Sequence, residues 1–137
     1  MPNHSRQVRT ATLARLQAVA TANVPAARWY PQQVMASPTW PYGFTGVPIE
    51  TPDRADCMNG SEIRFAVHGY ARTGTISGET QANMIGEDVT AALDGYSVTL
   101  PDGATADFTW ISSTTLRDGQ ETSQFHVVVQ MLVNVTA

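Results

Sequence analysis

The middle of the chain alternates between apolar and polar positions. Residues 62–68 are EIRFAVH, in which apolar and polar side chains take turns. A period of two is typical of a strand that is buried on one side only, so we predict a strand over about Ser61–Arg72. His68 falls on the polar side of that strand, together with Arg64 and Tyr70. The function depends on what this polar side contacts.

Two segments have a helical period instead. The first, about Ser5–Ala22, is amphipathic and ends before Pro25, which cannot continue a helix. Its apolar face consists of Val8, Thr12, Leu13, Leu16, Val19 and Ala20. The second begins after Ser77, a good N-terminal cap, and ends at Gly95, a good C-terminal cap. Its apolar stripe consists of Ala82, Ile85, Val89 and Leu93.

Alternation returns in the C-terminal half and predicts three further strands. They lie at about 96–100, 106–110 and 125–135. Turn sequences containing Asp-Gly separate them, and strands joined by short turns favour an antiparallel meander. The predicted fold class is α+β, a mostly antiparallel β-sheet with two helices packed on one face, in a single domain over residues 1–137.

The last of these strands has apolar residues on both sides. Val128 and Leu132 fall on its nominally polar side. Such a strand is expected to be covered on both faces, by a helix on one and by a neighbouring subunit on the other.

The segment Val24–Pro52 is rich in proline, which disfavours both a regular helix and a central strand. We predict short extended pieces at Arg28–Tyr30 and Tyr42–Val47, joined by an exposed loop. Three aromatic residues lie close together here, namely Trp40, Tyr42 and Phe44. They either cap the hydrophobic core or form an interaction site for a partner, and the pattern leaves both interpretations open.

Charge and composition narrow the classes of function. The chain has 137 residues and a net charge of −4, from eight basic and twelve acidic residues. It lacks the basic patch that neutralises phosphates, so direct binding of nucleic acid is not expected. Its single cysteine, Cys57, cannot form an internal disulfide, and its most apolar run, FHVVVQMLVNV, is too short to span a bilayer as a helix. We expect a soluble protein without a membrane partner, which matures in a reducing compartment.

Candidate catalytic and metal-binding groups are weak. His68 and His126 could face each other across a sheet and bind a metal, or they are ordinary surface histidines. A catalytic metal usually has three protein ligands, and no third ligand is evident. The nucleophile and carboxylate candidates lack an activating neighbour or an enclosing site. These candidates are Ser61, Ser77, Cys57, Asp53, Asp56, Glu87 and Asp88. We therefore expect no enzyme, no cofactor and no metal.

The order of these elements resembles the small tail-completion or tail-terminator proteins of long-tailed bacteriophages and phage-derived particles such as gene transfer agents. The segments that carry the resemblance are Arg28-Trp29-Tyr30-Pro31, Trp40-Pro41-Tyr42, Asp56-Cys57, His68-x-Tyr70-x-Arg72 and Leu116-Arg117-Asp118-Gly119. The chain departs from the pattern at Val47–Ala55, where a simpler strand is expected. Gly69 also interrupts the first long strand, where we expect a β-bulge.

The resemblance implies a structural virion protein without an active site. Such proteins form a ring, commonly hexameric, on the last layer of tail-tube protein at the head-proximal end, where the ring ends tube polymerisation and joins the tail to the head connector. Partners would be copies of the chain, the tube protein and the connector or stopper protein, while DNA passes through the lumen without specific binding. The protein would lie in the virion neck, and in the host cytoplasm during assembly.

The resemblance also suggests which residues make these contacts. Subunit or tube contacts would come from Trp40, Tyr42, Phe44, Arg64, His68, Tyr70, Arg72, Thr73 and Thr75. One alternative keeps the protein in the neck as a head-completion or connector protein. Another is an enzyme or small-ligand module that uses His68 and His126.

Overall fold

The structure, a computed structural model, describes residues 4–33, 37–53, 60–117 and 123–137. Two α-helices pack on one face of a seven-stranded, mostly antiparallel sheet, which confirms the predicted α+β class. The helices are α1 (Ser5–Val19) and α2 (Gly78–Leu93). The strands are β1 (Trp29–Tyr30), β2 (Tyr42–Thr45), β3 (Ile49–Asp53), β4 (Gly60–Arg72), β5 (Ser97–Thr99), β6 (Thr105–Arg117) and β7 (Gln124–Thr136).

The sheet is organised around three long strands. The order across it is β1-β2-β4-β7-β6-β5, and β3 pairs with the same edge of β4 as β2 does. The predicted meander is present as the succession β5, β6 and β7, while β4 joins the free side of β7. In the described part of the chain, β1 and β2 form the one parallel pair.

Alternation along the strands separates a helix-covered face from a second face, which we name the outer face. On β4 the odd-numbered residues from Ser61 to Ala71 are buried, and on β7 so are those from Val127 to Val135. These positions meet the apolar stripe of α2, whose Ala82, Ile85, Val89 and Leu93 are all buried as predicted. The core therefore lies between the helices and one side of the sheet.

Local sequence explains where α2 begins and ends, whereas a residue distant in sequence stabilises the start of α1. The Ser77 hydroxyl accepts a hydrogen bond from the Thr80 N–H at the start of α2, and Gly95 beyond its end has a φ of 77°, which suits glycine. Helix α1 has no acidic residue in its first turn. Instead the Glu50 carboxylate of β3 accepts a hydrogen bond from the Ser5 N–H at 3.1 Å, where a negative charge is favourable.

Three sequence-based expectations about the elements are wrong. Helix α1 ends at Val19 and not near Ala22, and Val19 is 50% exposed. The proline-rich segment contains the strand β3, which the sequence does not predict because Pro52 lies inside it. Among the described residues this strand pairs with β4 alone, and proline is tolerated in such an edge strand. Gly69 does not mark a bulge, because β4 and β7 pair in continuous register through it.

The irregularity in the sheet lies in β6 instead. Trp110 pairs with Met131 and Ser112 pairs with Gln130, so Ile111 is one extra residue between them. A bulge of this kind shifts the alternation of the strand by one residue. Beyond the bulge, Leu116 therefore shares the outer face with His126, its partner on β7.

Some expectations fall outside the described residues. They concern Asp56, Cys57 and the Asp118-Gly119 part of the turn between β6 and β7. Within the described ranges, no helix combines the length and apolar character needed to cross a membrane.

Gly69 is needed for close packing of α2 on the sheet. A Cβ at this position would lie 2.5 Å from the Ile85 Cγ2 and 3.0 Å from the Val127 Cγ1. Both are buried β-branched residues, so we expect Gly69→Ala to lower the free energy of unfolding by about 1–3 kcal/mol. Urea denaturation followed by circular dichroism measures this.

Gly74→Ala is the matched control for this substitution. A Cβ at Gly74 would meet nothing within 4 Å, so its effect should be small. Equal unfolding midpoints for the two variants would contradict the packing argument.

Candidate functional site

The outer face of the sheet carries a cluster of rings from three neighbouring strands and the loop before β2. We name it the aromatic surface. It consists of Trp40, Tyr42, Phe44, His68, Tyr70 and His126, with Arg72 at its border. None of these residues belongs to the hydrophobic core on the helix side.

Tyr70 of β4 lies at the centre of this cluster. It pairs with Tyr42 of β2 on one side and with His126 of β7 on the other, so three rings form a row across three strands. The Tyr42 and Tyr70 rings are stacked, with centroids 4.8 Å apart, and the Tyr70 and His126 rings are stacked at 4.2 Å. Strand register, and not local sequence, brings these three residues together.

A second row of rings lies two residues before Tyr70 on β4, at His68. His68 stacks on Phe44 with ring centroids 4.6 Å apart. The His68 Nδ1 and the His126 Nε2 are 2.7 Å apart, which is a hydrogen bond between the two rings. One of the two nitrogens must donate and the other accept, so at least one of these two nitrogens carries no proton.

The loop residue Trp40 closes the cluster at one end. Its ring meets Tyr42 edge-on at 5.2 Å, and the Arg72 guanidinium lies 4.4 Å from its centroid. Aromatic pairs contribute about 0.5–1.5 kcal/mol each, and an exposed cation–π contact about 0.5–1 kcal/mol. These contacts favour the arrangement of the rings against one another.

The interpretation that Trp40, Tyr42 and Phe44 cap the hydrophobic core is wrong. The core lies on the helix side of the sheet, whereas these rings stack on the other side. Trp40 and Tyr42 stay half-buried, and Phe44 is 7% exposed because His68 and Tyr70 stack on it. Half-buried aromatic residues gathered on one surface are typical of a protein–protein interface.

An open groove lies beside the aromatic surface, next to the end of β2. Its volume is about 570 Å³. Its lining includes Phe44, His68 and Tyr70 of the aromatic surface and Arg9 of α1. Arg9 already donates to the Thr45 carbonyl oxygen at 3.0 Å, so this cation holds α1 to β2.

Not all predicted contact residues join this cluster. Arg64 is exposed on the same face but further along β4, where it forms a salt bridge with Glu62 at 2.8 Å. Thr73 and Thr75 lie in the exposed loop before α2, and the Thr73 hydroxyl accepts a hydrogen bond from the Gly78 N–H. These three residues are separate from the aromatic surface.

His68 and His126 face each other across the sheet, as their polar positions on two strands predict. The stacking of His68 on Phe44 and of His126 on Tyr70 does not follow from the sequence pattern. Across the residues that the structure describes, no group of three or more His, Cys, Asp or Glu side chains is placed to hold a metal ion. The histidine pair is instead part of the stacked surface.

A second polar cluster, around His4, went unnoticed in the sequence. The His4 ring is buried and its Nε2 lies 2.9 Å from the Asp102 Oδ2, while its Nδ1 lies 3.4 Å from the Ser61 Oγ. This serine–histidine–aspartate row has the order of a hydrolase triad, but Ser61 is 6% exposed and has no room for a substrate. The cluster ties the start of α1 to β3, β4 and the turn after β5.

The carboxylates around His4 are held in their charged form. A hydrogen bond from the Ala104 N–H is the main cause that lowers the pKa of Asp102. Burial tends to raise the pKa of Glu50, but hydrogen bonds from Ser5, Ser61 and the backbone outweigh it and the pKa is lowered overall. The one sequence feature that points to this cluster is Glu50. It is an acidic residue in a proline-rich segment, and neither adjacent residue is charged.

With this geometry established, comparison with known proteins identifies the family. Residues 10–135 match the family described as Tail completion protein gp17. The chain belongs to that family. The family predicted from the sequence is therefore confirmed, and this member is a structural protein of a phage-like virion tail.

Solved structures show that the whole fold recurs. The chain is similar to one from a structure described as "Virion of native gene transfer agent (GTA) particle", with a TM-score of 0.81 and 16% sequence identity, covering 100% of both chains. At that identity the likeness concerns the fold. No curated protein gives a significant match to this family member.

The histidine pair predicts a pH dependence of stability. Burial, and then the charge of His126, lower the pKa of His68 from 6.5 to about 4. As the pH falls from about 6.5 to about 4 the unfolded chain therefore takes up a proton that folded His68 does not, and stability is lost over that window. Above about pH 6.5, His68 is neutral in both the folded and the unfolded chain, and none of this stability is lost.

His68→Phe tests this prediction, because phenylalanine can keep the stacking on Phe44 but cannot titrate. Between pH 6.5 and 4.5 the parent should lose about 1 kcal/mol more stability than the variant, a figure reduced for partial exposure of His68. Urea unfolding at several pH values measures it. Parallel stability curves for the two proteins would show that His68 is not the titrating group.

Proposed function

We propose that this chain forms a hexameric ring at the head-proximal end of the tail tube, where it ends tube polymerisation and joins the tail to the head connector. The observation that carries the proposal is the match of residues 10–135 to the tail completion family. The partners are then further copies of the chain, the tube protein and the connector protein. The chain acts as one domain and as a scaffold, not as an enzyme.

The aromatic surface is the contact that we assign to these partners. Six rings lie on a face of the sheet that no helix of the described residues covers. Val128 and Leu132 lie half-buried on the same side of β7. Aromatic residues and arginine are enriched where proteins bind one another, so Arg72 and the stacked rings suit this role.

Arg64, Thr73 and Thr75 take a lesser part in this proposal. All three are exposed, and Thr73 and Thr75 lie in the loop before α2. We assign them to the rim of the contact, where single side chains contribute little to binding.

The charge of the chain suits a passage for DNA. With a net charge of −4 it offers no general attraction to phosphates, so DNA can pass without being held. We place the protein in the neck of the virion, and in the host cytoplasm before assembly. The alternative of a head-completion protein has no separate observation in its favour.

Deletion of the gene tests the position in the assembly. Particles without this protein should have overlong tails, or tails that are not joined to heads, because nothing ends tube growth. Negative-stain electron microscopy measures the distribution of tail lengths. Tails of normal length beside open heads would instead indicate a connector protein and overturn the proposal.

Arg72→Glu tests the aromatic surface. A carboxylate in place of the guanidinium would be repelled by the negative face of the Trp40 ring, so the surface should lose its order at that end. We expect at least about a tenfold drop in finished particles, which corresponds to about 1.4 kcal/mol of lost binding. Particle counts after complementation of the deletion strain measure this.

Arg6→Glu is the matched control. Arg6 is an exposed arginine on α1, and a glutamate near a helix N-terminus is well tolerated. Both variants should fold with similar unfolding midpoints. Equal particle counts for the two would exclude the aromatic surface as a contact.

A further inference from the structure

Half of strand β6 has an open edge. β5 pairs only with Thr105, Ala106 and Asp107 of β6, and the backbone around Gly95 and Tyr96 extends that pairing to Phe108. Among the described residues, no strand pairs with the outer edge of the segment 111–117. This segment therefore presents backbone hydrogen-bonding groups to its surroundings.

The sequence of this edge does not protect it. Residues 108–116 are FTWISSTTL, a run without charge, proline or glycine. Three of its apolar side chains are well exposed, namely Trp110 at 42%, Ile111 at 43% and Leu116 at 49%. Proteins usually protect exposed edges with charges, prolines or bulges, and here only the bulge at Ile111 and the charge of Arg117 at the end of the segment are present. An edge of this kind is expected to be covered in the assembled protein.

A matching open edge lies on the opposite side of the sheet. In the described ranges β3 pairs with β4 alone. Ile49 in this strand is 69% exposed, and Val47 just before it is 78% exposed. In the described ranges, each copy thus has an open strand edge with exposed apolar side chains at each side of its sheet. Because Pro52 has no N–H to donate, pairing along the open edge of β3 is confined to Ile49–Thr51.

The directions of the strands are compatible with pairing between these edges. β4 is antiparallel to β7 and β7 is antiparallel to β6, so β6 runs in the same direction as β4. β3 is antiparallel to β4 and therefore to β6. If the sheet continued from one copy into the next in the same orientation, β6 and β3 would meet as an antiparallel pair, which is slightly more stable per residue than a parallel pair.

We infer that the outer edge of β6 pairs with the outer edge of β3 of a second copy, with Leu116 directly opposite Ile49. Both side chains lie on the outer face, because Leu116 pairs with His126 and Ile49 pairs with Arg64. In this register Thr114 lies opposite Thr51, and both side chains are on the outer face. Opposed threonines on one face of a sheet form a favourable cross-strand pair. The two exposed apolar side chains then cover each other.

This inference rests on the proposed ring and specifies its subunit contact. A head-to-tail contact uses two different surfaces, and a closed ring satisfies both surfaces of every copy. A second copy is therefore the partner that covers the β6 edge and the β3 edge together. A contact between two β6 edges would stop at a dimer and leave β3 uncovered.

Cysteine crosslinking tests the register. Ile49→Cys and Leu116→Cys are introduced together in a Cys57→Ser background, and the protein is allowed to assemble on tail tubes and is then oxidised. Directly opposed residues have Cβ atoms about 4.5–5.5 Å apart, close to disulfide geometry. We expect the monomer band on a non-reducing gel to be lost into a ladder of linked copies. Either single substitution should leave the monomer unchanged.

Glu87→Cys with Leu116→Cys is the control pair, because Glu87 is exposed on α2, on the helix side of the sheet. If rings form on tube ends but Ile49→Cys with Leu116→Cys crosslinks no better than this control pair, the edge pairing is wrong. The proposed function would still stand. Dimers from Leu116→Cys alone would show that β6 meets β6 and would also overturn it. If no rings form on tube ends, the proposed function and this inference fail together.

A charged residue provides a second readout that does not depend on disulfide geometry. Leu116→Lys should block edge pairing and abolish rings, because lysine on an edge strand opposes pairing. Val19→Lys, at an equally exposed position at the end of α1, should leave rings intact. Rings of normal abundance with Leu116→Lys would contradict the inference.

Discussion

The pairing of β4 with β7 is the constraint on which the rest of the fold depends. The two strands pair from Gly60 with Thr136 to Arg72 with Gln124 without a break. Because side chains alternate along a strand, this single register puts the buried residues of both strands on the same side. A slip by one residue would turn the aromatic rings toward the helices and the core residues toward solvent. The hydrophobic core and the aromatic surface are thus two results of one alignment.

Other elements attach to this pair and take their positions from it. β6 extends β7 on one side, while β2 and β3 share the edge of β4 on the other. Helix α2 lies against β4, β7 and β6, and the absence of a side chain at Gly69 lets Ile85 approach β4 closely. At the start of α1, Glu50 supplies from β3 the negative charge that the helix itself lacks. Long-range contacts therefore complete what local sequence leaves unfinished.

The sequence predicts those features that depend on a local period. The strands around His68 and Val129 and the stripe of α2 follow directly from alternation and helical spacing, and Ser77 marks the start of α2 correctly. The contacts within the aromatic surface could not be predicted, because strand register brings together residues as distant as Tyr42 and His126. Strand β3 could not be predicted because it contains Pro52. Proline destabilises a central strand but is tolerated in an edge strand, and the sequence does not show which of the two a strand is.

The bulge in β6 has a consequence for how this protein can change. One extra residue, Ile111, moves the later positions of β6 to the other side of the sheet, so that Leu116 lies outward and Thr115 reaches Asn83 on α2. Deletion of any single residue between Trp110 and Leu116 would turn Leu116 toward the helices and Thr115 toward the outer face. A substitution in this strand alters one side chain, whereas a change in its length moves every later side chain to the other face of the sheet. We expect the family to keep this spacing.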